Sequence, residues 1–156
     1  MKTISFFGHG SILDSSKVEK ILEQTLKEII PQGFSTLLIG CHGDFDKLAL
    51  STCLKYKKKV DKSINVYVVL SSLTTLNKGR YLCSQADLYN YSGCETIIYD
   101  IENVHFKNKI TYSNKKMIDD SDLIICYVNN NSIRSGAKFA INYAIKQNKK
   151  IINLFN

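Results

Sequence analysis

The chain has 156 residues, 44% of them hydrophobic and 22% charged, which excludes a disordered protein and suits one domain with its own core. No stretch approaches the roughly 18 apolar residues of a spanning helix, and Met1–Gly8 lacks the longer apolar run and cleavage site of a signal peptide. A soluble, cytoplasmic protein with no membrane partner is therefore expected. Net charge is +7 and rests almost wholly on lysine, since Arg80 and Arg134 are the only arginines; such a balance steers anions without selecting among them.

Taken in chain order, Lys2–Gly8 reads as a strand. Ser16-x-x-Glu19 has the form of a capping box and opens a helix whose apolar residues Val18, Ile21, Leu22, Leu26 and Ile29 recur at helical spacing until Pro31-Gln32-Gly33 ends it. Thr36–Ile39 is a second strand running into Gly40. A second helix starts at Asp44-Phe45-Asp46 and continues to Lys57-Lys58-Lys59. Asn65–Leu70 is a third strand, apolar almost throughout, as a strand covered on both faces should be.

Ser71–Tyr91 is polar and weakly patterned, with room for a short helix. Thr96–Tyr99 reads as a fourth strand, Asn108–Asp120 as a helix, Leu123–Val128 as a fifth strand, Gly136–Gln147 as a helix and Lys150–Leu154 as a last strand. The alternation implies a Rossmann-like α/β domain: a mainly parallel sheet of five to six strands with helices on both faces. The pattern leaves strand order open. Cys41, Cys53, Cys83, Cys94 and Cys126 form no Cys-x-x-Cys pair, so a disulfide framework or zinc site is not expected.

Right-handed crossovers gather the loops that follow strands on one sheet edge, where open α/β sheets bind ligands. Three of these loops carry glycine: Gly8-His9-Gly10-Ser11, Gly40-Cys41-His42-Gly43-Asp44-Phe45-Asp46, and Asn129 to Ala137, which contains Arg134-Ser135-Gly136. Glycine permits close backbone approach, and helix-start amides favour an anion. Leu13 stands where G-x-G-x-x-G needs its third glycine, and no G-x-x-x-x-G-K-[ST] occurs, so a common NAD dehydrogenase or P-loop NTPase is disfavoured.

Phe6-Phe7-Gly8-His9, Gly40-x-x-Gly43-Asp44-Phe45-Asp46-Lys47-Leu48-Ala49, Met117-Ile118-Asp119-x-Ser121-Asp122-Leu123-Ile124-x-x-Tyr127-Val128, Ser135-Gly136-Ala137 and Lys150-Ile151-Ile152-Asn153-Leu154 together resemble the YpsA-like branch of the SLOG superfamily. The resemblance runs the length of the chain in order. It implies a Rossmann-type scaffold for nucleotides and nucleotide-derived signals, similar to the LOG phosphoribohydrolases and the DprA DNA-processing proteins. Some members of the superfamily are ligand sensors in anti-phage defence, and related domains often self-associate. By that resemblance ligand contacts fall to Gly8, His9, Gly40, Gly43, Asp44, Asp46, Asn114, Ser135, Gly136 and Ala137. Gly10 and Ser113 stand where the branch has arginine; Arg134, Lys115 and Lys116 are the nearby alternative cations.

LOG-type hydrolases carry P-G-G-x-G-T-x-x-E, whose glutamate helps break an N-glycosidic bond. Ser135-Gly136-Ala137-Lys138-Phe139-Ala140 has no carboxylate there. Asp44 and Asp46 have three readings: capping the second helix, hydrogen bonding a ribose, or catalysis. His9 and His42 are expected as polar ligand contacts or satisfied loop histidines, and Tyr127 either as a stacking platform or as core. The expectation is a homo-oligomeric binder of a nucleotide-derived molecule (ADP-ribose-like, cyclic or NAD-related) with no metal or cofactor. The rivals are a nucleoside or nucleotide N-glycosidase and, less favoured, a single-stranded nucleic-acid binder.

Overall fold

The structure, a computed structural model, describes residues 1–70, 95–98, 108–131 and 135–155. Six strands form one all-parallel sheet: β1 (Lys2–Gly8), β2 (Phe34–Ile39), β3 (Asn65–Leu70), β4 (Glu95–Ile98), β5 (Leu123–Tyr127) and β6 (Lys150–Asn153), in the spatial order β4-β3-β2-β1-β5-β6. The helices are α1 (Ser15–Ile29), α2 (Asp44–Lys59), α3 (Lys109–Asp119) and α4 (Gly136–Lys146). The Rossmann-like expectation holds, with element ends shifted by a residue or two. Among the described residues no helix is long and apolar enough to cross a membrane. The Ser71–Tyr91 segment, Tyr99 and His105 lie outside the described residues.

Period-two alternation sorts each strand between two layers. Ile4, Phe6, Leu37, Ile39, Val66, Val68, Leu123 and Ile125 join a core with Val18, Leu22 and Leu26 of α1 and Phe45, Ala49 and Cys53 of α2. Phe7, Leu38, Val69, Ile124 and Cys126 join the other with Met117 and Ile118 of α3 and Ala137, Ala140, Ile141 and Ala144 of α4. Ser5 interrupts β1 with a buried hydroxyl that donates to the Met117 carbonyl at 3.1 Å and hydrogen-bonds to the Ser121 hydroxyl, tying the central strand to the end of α3. These bonds compensate its desolvation.

The start of α1 differs from the capping-box expectation. Asp14 is the N-cap, its Oδ1 accepting the Lys17 amide at 3.1 Å, so Ser16 already lies inside the helix. Asp14 fits the same capping chemistry two residues earlier. A 3-10 turn at Ile30–Gln32 and Gly33, at φ 109°, then close the helix end.

The strand order fixes where the sheet opens. From β1 the chain proceeds through β2, β3 and β4 to one side, then crosses back to place β5 on the other side of β1. Loops after β1 and β5 therefore diverge, leaving a crevice at the carboxyl end of the central strand.

Candidate functional site

The first two glycine turns are built against each other. Gly43 takes φ 92°, and a Cβ on it would lie 2.6 Å from the Gly10 Cα, so backbone meets backbone there. The Gly10 carbonyl accepts the Asp44 amide at 2.9 Å, and the His9 carbonyl accepts the Phe45 amide at 3.4 Å. Asp44 returns a bond, its Oδ2 accepting the Ile12 amide at 3.3 Å. This corrects a premise of the sequence reading: the first two amides of α2 hold the β1 turn and do not stand open to an anion. Gly8 is also required by the protein itself, because a Cβ there would fall 2.2 Å from Cγ of the fully buried Phe45.

Asp46, two residues past Asp44, faces the other way. It is 8% exposed, and its Oδ2 accepts the His42 amide at 2.8 Å. Burial raises its pKa from 3.8 to about 7, the His42 amide acting against that rise. Near neutral pH the group is thus divided between acid and carboxylate. His9 and His42 both lie below the ordinary imidazole value through desolvation. His9 Nε2 accepts the Asn129 amide at 2.7 Å, which places the ring proton on Nδ1 and stitches the β1 turn to the loop after β5. Cys41 Sγ lies 3.6 Å from His42 Nε2. Tyr127, read in two ways from sequence, belongs to the core: it stacks on Phe45 at 6.1 Å and meets Phe155 edge-on at 5.1 Å.

The third loop ends at Ser135, whose Oγ caps α4 by accepting the Lys138 amide at 3.0 Å. Gly136 and Ala137 follow as the first residues of the helix, and amides in that position have no acceptor within a helix. A cavity of about 300 Å³ lies between this helix start and the glycine turns. Gly8, His9, Gly10, Gly40, His42, Gly43 and Asp46 line it from one side, and Asn114, Ser135, Gly136 and Ala137 from the other. Ile110, Phe6 and Phe7 complete the lining.

Sequence reasoning passed over Ile110, although it precedes Asn114 by four residues and so shares its helix face. Asp44 stands outside the cavity, in a shallow hollow with Ile12, Ser15, Lys47, Leu48 and Ser51. Arg134 lies outside the described residues. Among the described residues, no lysine or arginine lines the cavity and no three His, Cys, Asp or Glu side chains gather as a metal site. The cavity is therefore polarised: one wall offers the α4 start with its helix dipole, the other a buried carboxyl group.

No protein-family model matches the chain, and no curated protein matches it. Among solved structures it is similar to DNA processing protein A from Helicobacter pylori, whose single-stranded DNA binding mode was the subject of that structure, with a TM-score of 0.67 at 13% identity. The match covers 97% of this chain and 64% of that one, so this chain spans under two thirds of that chain's length. At this identity the likeness is one of fold.

Proposed function

We propose that the chain binds the ribose–phosphate portion of a nucleotide-derived small molecule in this cavity, as a sensor or sequestering protein of the YpsA-like SLOG kind. The phosphate lies at the α4 start, against Gly136 and Ala137, and the ribose hydroxyls donate to Asp46. What supports the reading is one juxtaposition: residues from four distant parts of the sequence line a single cavity with amides on one wall and a buried carboxyl opposite. That bipolar arrangement complements a sugar phosphate, which carries acceptors at one end and donors at the other. A cytoplasmic, homo-oligomeric role in phage-defence signalling is part of the same reading and comes from the SLOG resemblance alone.

The test is a thermal-shift titration with ribose 5-phosphate, AMP and ADP-ribose. A ligand at 100 times its Kd adds about 2.7 kcal/mol of stability, well within reach of the measurement. Failure of all three to shift the transition at millimolar concentration would sink the reading. The N-glycosidase alternative rests on Asp46, whose pKa of about 7 suits a general acid or base. Released base, detected by chromatography and lost in Asp46→Asn, would turn the binder into an enzyme.

Single-stranded nucleic acid is the second reading. It draws on the net charge of +7 and on the subject of the related structure. Oligonucleotide affinity falling steeply with salt, and weakened by charge reversal at Lys57, Lys58 and Lys59, would favour it.

A further inference from the structure

The candidate cavity is small, and the rings it offers besides buried phenylalanine are the imidazoles of His9 and His42. About 300 Å³ is at the bottom of the range for small-molecule sites, roughly 300–1,000 Å³. The phenylalanines bordering it, Phe6 and Phe7, are 0% and 5% exposed and belong to the two core layers. A sugar phosphate suits such a space; His9 is already tied through Nε2 to the Asn129 amide and set edge-on to Tyr127, and an imidazole offers a heterocycle less apolar face than a phenyl or phenol ring. Beside it, between α3 and α4, the surface opens into a groove of about 740 Å³. The two hollows are continuous, because Ile110, Asn114 and Gly136 line both.

The groove has the chemistry that the cavity lacks. Phe139, three residues beyond Gly136, is 66% exposed, and Ile110 across from it is 45% exposed. Tyr143 follows Phe139 by four residues, on the same helix face. Its ring is held in place: the hydroxyl donates to Asp119 Oδ1 at 2.7 Å, and the Lys115 ammonium sits 5.4 Å from the ring centroid. Two aromatic side chains and an aliphatic one, with Asn114 within reach for edge hydrogen bonds, form a surface suited to a flat heterocycle.

We infer that the α3–α4 groove is the second half of one site and takes the nucleobase-bearing end of a ligand whose sugar phosphate occupies the glycine cavity. This rests on the reading of the cavity proposed above. It assigns specificity to Phe139 and Tyr143, and it makes the ligand a base-containing nucleotide rather than a sugar phosphate alone. Phe139, so exposed on its own, gains a cover when the ligand is bound.

Calorimetric titration of the full chain with two probes, ribose 5-phosphate and ADP-ribose, separates the outcomes. ADP-ribose should bind the wild type at least about tenfold more tightly, and Phe139→Ala should remove about tenfold of its affinity while leaving ribose 5-phosphate unchanged. Phe139→Tyr, which keeps the ring, should restore it. Equal affinity for both probes, or ADP-ribose binding indifferent to Phe139→Ala, overturns the groove and leaves the cavity standing. Binding of neither probe removes the cavity reading and this inference together. A wild-type dimer that Phe139→Ala turns into a monomer, with both affinities intact, gives the groove to a second copy of the chain and overturns the proposal.

Discussion

Asp46 Oδ2 accepts the His42 amide at 2.8 Å, closing the second glycine turn onto the helix that the turn begins. The same oxygen would lie 2.8 Å from any Cβ at Gly40, so the strand end, the turn and the carboxyl group form one compact unit. Most of that carboxyl is out of water, with the His42 amide hydrogen-bonded to it, and its ionisation is correspondingly costly.

The first prediction follows from that cost. The folded-state pKa of Asp46 is raised from 3.8 to about 7, so the folded chain holds a proton that the unfolded chain has released. Its contribution to stability is fully present below pH 3.8 and is lost as pH rises through 7. Asparagine cannot ionise and keeps an acceptor for the His42 amide. Asp46→Asn should therefore gain in Tm relative to wild type as pH is raised from 5 to 8, measured by calorimetry. A difference that does not change with pH would contradict it.

His9 predicts the opposite sign. Desolvation holds its pKa below 6.5, and the bond from the Asn129 amide requires an unprotonated Nε2. The stability it contributes is present above 6.5 and lost as pH falls through its lowered value. His9→Ala should cost about 1–3 kcal/mol at pH 8, the penalty for an amide left without its acceptor, and less at pH 5. Urea denaturation at the two pH values checks both the size and the trend.

The glycines separate into two classes by what surrounds them. A methyl at Gly8 meets the Phe45 ring at 2.2 Å, whereas a methyl at Gly10 meets nothing within 4 Å. Gly8→Ala should destabilise by about 1–3 kcal/mol through overpacking, and Gly10→Ala by under about 0.5 kcal/mol. Equal effects in a denaturant titration would show that Phe45 yields more easily than its burial implies.

These pairs also show what the chain's letters reveal. Alternation in Leu37, Leu38 and Ile39 was enough to place the sheet between two helix layers, because each successive side chain must choose a face. Ser135-Gly136-Ala137 and the two glycine turns were legible as cavity wall because they follow strands that must end on one edge. Asp44 and Asp46 were treated alike, although helical spacing separates them. Asp46 shares a face with the buried Ala49, Leu50 and Cys53, whereas Asp44 shares one with Lys47, Leu48 and Ser51. The engagement of the α2 amides by the His9 and Gly10 carbonyls was not legible, since it depends on two remote turns meeting in space.

The site's polarity gives a pH test of ligand orientation. Ribose hydroxyls donate to an ionised Asp46 better than to a protonated one. If the hydroxyls lie there, affinity for ribose 5-phosphate should rise as pH increases through about 7, and Asp46→Asn should flatten the profile. If the phosphate lies there, repulsion from the carboxylate makes affinity fall over the same range.

The last prediction concerns charge. Among the described residues the cavity has no lysine or arginine in its lining, and the α4 dipole alone favours an anion. Gly10 lines the cavity, a Cβ on it would meet nothing within 4 Å, and it is not among the glycines held at positive φ, so a long side chain is accommodated without backbone strain. Gly10→Arg should leave the unfolding midpoint nearly unchanged and strengthen ribose 5-phosphate binding by about tenfold at low salt, the scale of one charge-assisted hydrogen bond. The gain should shrink as ionic strength rises, because a cation at the cavity mouth remains partly in water. Ribose itself, with no phosphate, should gain nothing. An arginine that strengthens ribose and ribose 5-phosphate equally would be acting by packing, and the anion would have to be sought elsewhere on the molecule.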